Sequence, residues 1–278
     1  MDTRIFEEPK IDWHMHVLDP MRFPYQANTH YAPAGQELGT PTQFGQLMDA
    51  YGTRCALLVG PNSGYGLDNS CMLDTIARGA GRYKGIAVAA NDATVDELQA
   101  LKRVGVVGVA WNVTHYGLDY YRDAEALLRK LVALDMFVDI QVEHDQLVPM
   151  MPMLANSGVR ILVDHSGRPT VDGGLDQPGF RALLKLAATK RAFVKLSGFV
   201  KFSRKPALYD DTWTFVAALI DAFTLDHCLW ASDWPYLRAP VHVDYGVLLA
   251  LVVTLFPDAS DRRKLLWDTP RKLFGFVS

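Results

Sequence analysis

The chain reads as an α/β protein of the (β/α)8 barrel class, on three observations. Eight apolar runs of strand length recur along its 278 residues, helical patterns stand between them, and the length suits the roughly 250 residues of an eight-stranded parallel barrel. The runs are Lys10 to His16, Arg54 to Gly60, Lys84 to Ala90, Val106 to Asn112, Met136 to Val142, Val159 to His165, Ala192 to Ser197 and His227 to Asp233.

The intervening helices have their own signals. Thr94-Val-Asp-Glu97 is a capping box that opens Leu98 to Arg103, and Asp123 to Leu134 carries a Leu/Ala stripe at helical spacing. Gly105 and Gly158 stand where helices stop before the fourth and sixth strands. Trp213 to Phe223 precedes the eighth strand, and Tyr245 to Phe256 and Asp261 to Phe274 close the chain. With no internal repeat or low-complexity linker, one domain over 1–278 is expected.

Composition narrows the partners. A net charge of -3 and a pI near 6.2 give no basic footprint for nucleic acid or for an anionic membrane surface. No apolar h-region opens the chain and no run has the roughly 18 apolar residues of a membrane span, so a cytoplasmic location is expected. Cys55, Cys71 and Cys228 are far apart, lack metal spacing, and read as buried thiols. A small-molecule ligand remains, and a homodimer is left open.

Loop lengths point to one end of the barrel. Helix-to-strand connections are short, whereas Val17 to Pro41, Gly167 to Gly179, Gly198 to Pro206 and Trp234 to Val243 are long. A barrel builds its active site from its strand-to-helix loops. The segment 17–41, with four prolines and the aromatics Phe23, Tyr25 and Tyr31, reads as an ordered lid.

Several polar side chains converge there. His14 and His16 share one side of the first strand because side chains alternate. His165 belongs at the mouth if Ile161, Val163 and His165 face inward, and Asp233 shares a face with Leu229 and Ala231. Asp12 and Lys195 share their strands' inward parity but lie deeper, as supporting charges that need partners. Candidate substrate contacts are Asn62, Ser63, Asn112, Gln141, Lys201 and Tyr236. Arg168 reads as a turn residue, and His30, His115, His227 and His242 as ordinary.

Taken in order, Asp12-Trp-His14-Met-His16, Val163-Asp-His165-Ser-Gly-Arg-Pro169, Lys195-Leu-Ser-Gly198, Trp230-Ala-Ser-Asp233-Trp-Pro235 and Thr269-Pro-Arg-Lys-Leu-Phe-Gly-Phe276 resemble the successive signatures of the amidohydrolase superfamily. The likeness is to its amidohydrolase-related group, which contains 2-pyrone-4,6-dicarboxylate lactonase and sugar lactonases. It implies an amidohydrolase-like TIM barrel that opens a lactone by water attack. Asp233 would be the general base, and His14, His16 and His165 would orient water or polarise the carbonyl.

The departures from that pattern are informative. Binuclear members have a bridging Lys or Glu on strand four and a His on strand five, where this chain has Ala110-Trp111-Asn112 and Gln141. A two-metal site is therefore not expected. No metal is obligatory on this reading, and the alternative is one divalent cation, zinc or manganese, on His14, His16 and Asp233. The dicarboxylate pattern has arginines where this chain has Ala110 and Lys201, which argues for one anionic or polar group on the substrate rather than two, and it has a histidine where this chain has Tyr236. The expected activity is hydrolysis of a carboxylated or sugar-acid lactone in carbon catabolism. The competing readings are a metal-dependent amidohydrolase or decarboxylase, and a non-catalytic binding protein on a degenerate barrel.

Overall fold

Eight parallel strands, β1 (Lys10–Met15), β2 (Thr53–Val59), β3 (Tyr83–Val88), β4 (Val106–Asn112), β5 (Phe137–Gln141), β6 (Arg160–Val163), β7 (Ala192–Leu196) and β8 (Cys228–Trp230), pair in chain order. This computed structural model describes residues 3–241 and 243–276. Closure between the first and last strands runs through the segment after β8. His16 N–H donates to Trp234 O and Asp233 N–H donates to His14 O, each at 2.8 Å. The expected (β/α)8 barrel is therefore the observed one.

The helical signals hold. Thr94 and Glu97 form the reciprocal cap of Val95–Arg103, and Trp213–Phe223 has the expected bounds. Gly105 (φ 99°) and Gly158 (φ 77°) occupy backbone that a side chain strains. The last expected helix is three pieces: Ala259–Arg263, a π-helical turn Lys264–Asp268, and Thr269–Phe274. All three cysteines are free and buried. Among the described residues no helix is long and apolar enough to cross a membrane.

Two apolar layers set which way each strand faces. Inside the barrel, Ile11, Trp13, Leu57, Phe137, Leu162, Phe193, Leu229 and Ala231 pack with Trp267, Phe274 and Phe276 from the chain's end. Trp13 and Phe137 meet Phe274 at ring separations of 4.4 and 4.9 Å, which fills the barrel below the mouth. Burying a large apolar side chain contributes roughly 1.5–3 kcal/mol. The second layer, between sheet and helices, includes Met15, Val138, Ile140, Ile161, Val163 and Trp230.

That division corrects two expectations. On β6 the inward face carries Leu162, and hence Asp164, whereas Ile161 and Val163 face the helices. On β1 the register with β2 slips between Asp12 and Met15, so Trp13 and His14 both reach the barrel interior. Asp12, between the inward-facing Ile11 and Trp13, points away from the axis, toward the helix Tyr245–Leu255. There its carboxylate accepts from Ser232 N (2.9 Å), His14 N (3.3 Å) and Tyr245 Oη (3.1 Å), replacing ladder bonds at the seam. Burial, against these bonds, raises its pKa to about 6.

Asp12→Ala leaves those three donors without their acceptor inside the fold. The expected loss of unfolding free energy in urea is on the order of 3 kcal/mol. A loss under about 0.5 kcal/mol would show that the seam stands without the carboxylate.

Candidate active site

Strand ends and the loops after them deliver the polar side chains to one cavity of about 640 Å³ at the mouth. His14 lines it from β1, His16 from just past that strand and Lys201 from the turn after β7, with Asp233 and His165 buried beside them. His165 arrives by a different route from the one expected. Strand alternation has ended at Val163, and His165 (φ 51°) and Ser166 (φ 56°) turn the chain back over the barrel. Gly198 makes room, because a Cβ there would stand 2.6 Å from His165 Cβ in backbone of φ 67°.

Asp233 is the hub. Its Oδ1 lies 3.8 Å from both His14 Nε2 and His16 Nε2 and 3.6 Å from His165 Nε2. Neither Oδ1 nor His165 Nε2 has a hydrogen-bond partner among the described residues. Lys201 Nζ sits 2.6 Å from Oδ2. Burial raises the Asp233 pKa, but Lys201 together with His165 and His16 outweighs it and holds the carboxyl below its ordinary range. The imidazoles go the other way. Burial brings His14 down to about 3 and also lowers His16 and His165, so all three are neutral at pH 7.

A buried ion network fixes His14 from below. Lys195 Nζ is 2.7 Å from both Asp139 Oδ2 and Asp164 Oδ1, and 3.1 Å from His14 Nδ1, while Asp164 Oδ1 is 3.0 Å from the same nitrogen. Burial and the neighbouring Asp164 raise the pKa of Asp139. Asp164 is held low despite burial, because His14 and Lys195 favour its charge.

Whether a cation fits can be read from tautomers. His16 Nδ1 is 2.8 Å from Val59 O, which can only accept, so His16 Nε2 carries a lone pair. His14 Nε2 faces it at 3.3 Å. His14 can put its proton on Nε2 and donate to His16 while Nδ1 accepts from Lys195. It can instead donate from Nδ1 to Asp164, and then two lone pairs and Asp233 Oδ1 surround one point. These three ligand atoms lie within 4.8 Å of one another, so the residues fit a single divalent ion. His14, Asp164 and His165 form a second such group.

With this geometry in place, comparison with known proteins becomes specific. The amidohydrolase family model matches residues 11–276. The chain belongs to the amidohydrolase family. It is 32% identical to the 4-sulfomuconolactone hydrolase of Rhizobium radiobacter over 98% of this chain and 92% of that protein. It is 27% identical to the 2-pyrone-4,6-dicarboxylate hydrolase of Comamonas testosteroni over 95% and 89% of the two chains. Its backbone matches an Acinetobacter baumannii protein named for 2-pyrone-4,6-dicarboxylic acid hydrolase and solved with citric acid bound, at a TM-score of 0.87 and 28% identity, over 96% of this chain and 99% of that one.

This amidohydrolase places the other candidate residues unevenly. Asn62, Ser63, Asn112 and Gln141 all line the mouth cavity. Asn62 Nδ2 donates to Tyr116 Oη (3.1 Å), Gln141 Nε2 to Thr114 Oγ1 (2.9 Å), and Asn112 Oδ1 caps the turn Val113–Tyr116. Tyr236 does not line it. Its positive φ (67°) sends the ring into a separate groove with Leu47, Trp234 and Tyr245. Lys201 lines the cavity, but its ammonium is engaged by Asp233.

Other residues gain a place that the sequence did not suggest. His30 and His115 line the cavity, because segment 17–41 folds over the mouth and His115 lies in the turn after β4. Arg168 does occupy a left-handed turn (φ 44°), as expected, and also lines the cavity, 3.1 Å from Glu143. His227 packs on Phe193 away from the mouth, and His242 lies outside the described residues. Asp164, on the face of Leu162, lies on the parity opposite to the one expected to face inward. Arg238, in the loop after β8, had no signal in the sequence.

Proposed function

We propose that this amidohydrolase hydrolyses a lactone, with Asp233 as general base. The observation that carries this reading is the unpartnered Asp233 Oδ1 set within 3.8 Å of three neutral imidazole Nε2 atoms. Water held between Oδ1 and the imidazoles attacks the ester carbonyl, and its proton passes to Asp233. When Ser197 Oγ–H donates to His165 Nδ1 (3.1 Å), His165 carries its own proton on Nε2 and offers a donor to the developing oxyanion. Collapse breaks the ring C–O bond, and Asp233 returns its proton to the leaving oxygen. The two hydrolases named above are each lactone or pyrone hydrolases by name, which supports the same chemistry here.

Lys201 distinguishes this site from a bare metal cluster, because it already places a positive charge at the carboxylate. No metal is obligatory on this reading. Where zinc or manganese is bound, His14, His16 and Asp233 would hold it, and it would supply Lewis-acid polarisation of the carbonyl. The converging Nε2 atoms favour that as the second reading, a metal-dependent amidohydrolase or decarboxylase.

Asp233→Asn is expected to lower turnover by about 10²–10⁴-fold on a lactone panel. If the parent opens no lactone of the panel, the proposal fails. Exhaustive chelation is expected to leave turnover within about two-fold. Loss restored by zinc or manganese would establish the metal-dependent reading instead.

Activity requires ionised Asp233, whose pKa is held down, so the parent should show no acidic limb from this group above about pH 4. Lys201→Met removes the leading charge that offsets burial, and should move the acidic limb of kcat toward neutral pH. A limb that stays in place after the substitution would mean that Lys201 does not set the basicity of Asp233.

A further inference from the structure

Lys201, Arg168 and Arg238 are the cationic side chains other than histidine that line the mouth cavity. Asp233 pairs with Lys201 at 2.6 Å and Glu143 with Arg168 at 3.1 Å. Among the described residues the Arg238 guanidinium has no ion-pair partner. It is held by stacking, 4.4 Å from the centre of the Tyr31 ring. Tyr31 donates its hydroxyl to Glu37 Oε2, and Glu37 Oε1 accepts from the main-chain N–H of Arg238 at 2.5 Å. The nearby acid is thus turned to the tyrosine and the backbone, which leaves the guanidinium oriented but not neutralised.

Two further bases stand beside it. His30, from the segment over the mouth, and His115, from the turn after β4, line the same cavity with their rings 5.6 Å apart. Burial, then His30, then Arg238 lower the pKa of His115, which places the three groups in one basic neighbourhood. Three loops therefore bring two imidazoles to the same cavity as a guanidinium that has no carboxylate partner among the described residues.

We propose that Arg238, His30 and His115 form an oxyanion subsite that seats a carboxylate or sulfonate substituent of the lactone. The inference rests on the lactone reading and adds to it the chemistry of the substituent. A guanidinium presents paired N–H groups to such an oxyanion, and pre-stacking on Tyr31 lowers the ordering cost of the contact. It also moves recognition of the anion away from Lys201, whose ammonium is engaged by Asp233.

The test uses three isosteric γ-lactones carrying a carboxymethyl, a sulfomethyl or a neutral carbamoylmethyl side chain. Arg238→Gln should raise KM for the anionic lactones at least about ten-fold, with kcat within about three-fold and the neutral lactone unchanged within about two-fold. His30→Gln should act in the same direction more weakly. An effect on one anionic lactone alone assigns the subsite to that oxyanion. Equal effects on charged and neutral lactones, or none, overturn it.

Citrate binding by calorimetry to the parent and to Arg238→Gln separates this inference from the hydrolase reading. Weakening of about five-fold or more upholds the subsite even if no lactone is opened. Unchanged binding beside intact lactone turnover overturns the subsite and leaves the hydrolase reading standing.

Discussion

Charge compensation inside the barrel mouth is the constraint on which the rest depends. Among the described residues, Asp139, Asp164 and Asp233 are buried there with two ammonium groups, Lys195 and Lys201. An unpaired buried charge costs several kcal/mol, so each carboxylate must have a cation or take up a proton. Asp139 and Asp164 share Lys195; burial and Asp164 raise the pKa of Asp139, while Asp164 is held low beside His14 and Asp233 is held low beside Lys201. Taking away either lysine would disturb more than one pair, since Lys195 alone touches Asp139, Asp164 and His14.

The barrel was legible because its determinants are local and periodic. Strand runs, the capping box at Thr94 and the glycines at 105 and 158 each act within a few residues, and all appear where expected. Alternation also placed Phe137, Gln141, Leu229 and Ala231 correctly. It failed at β6 and Asp12 for two reasons. Near-continuous apolar strands do not declare which parity is inward, and a register slip, here between Asp12 and Met15, exchanges faces without any residue that announces it.

At the mouth itself the period-two rule has no purchase. His165, Ser166, Arg168, Asp233, Tyr236 and Arg238 all have φ between 44° and 67°, a region that residues other than glycine adopt at a cost. Each lies just past a strand end, where the chain has left the sheet and loop contacts decide its direction. His165 and Asp233 are thereby aimed into the site, whereas Tyr236 is aimed out of it. The four residues expected in the catalytic cluster, His14, His16, His165 and Asp233, do converge. Arg238 and His30 are positioned by long-range packing of two loops, which neither spacing nor residue type reveals.

The balance of acid and base in this cluster bears on which carbonyl compounds it can open. All three imidazoles are too weakly basic to be charged near neutrality, and the one ionised base is softened by Lys201. A base held this weak activates water only modestly, and an ester carbonyl, less stabilised by resonance than an amide, is the easier target for it. On the proposed mechanism a lactone meets that limit, and its leaving oxygen departs with the proton that Asp233 would take from water. The ion pair with Lys201 thus keeps Asp233 ionised in a buried site, and under the proposed role suits it to ester carbonyls more than to amides.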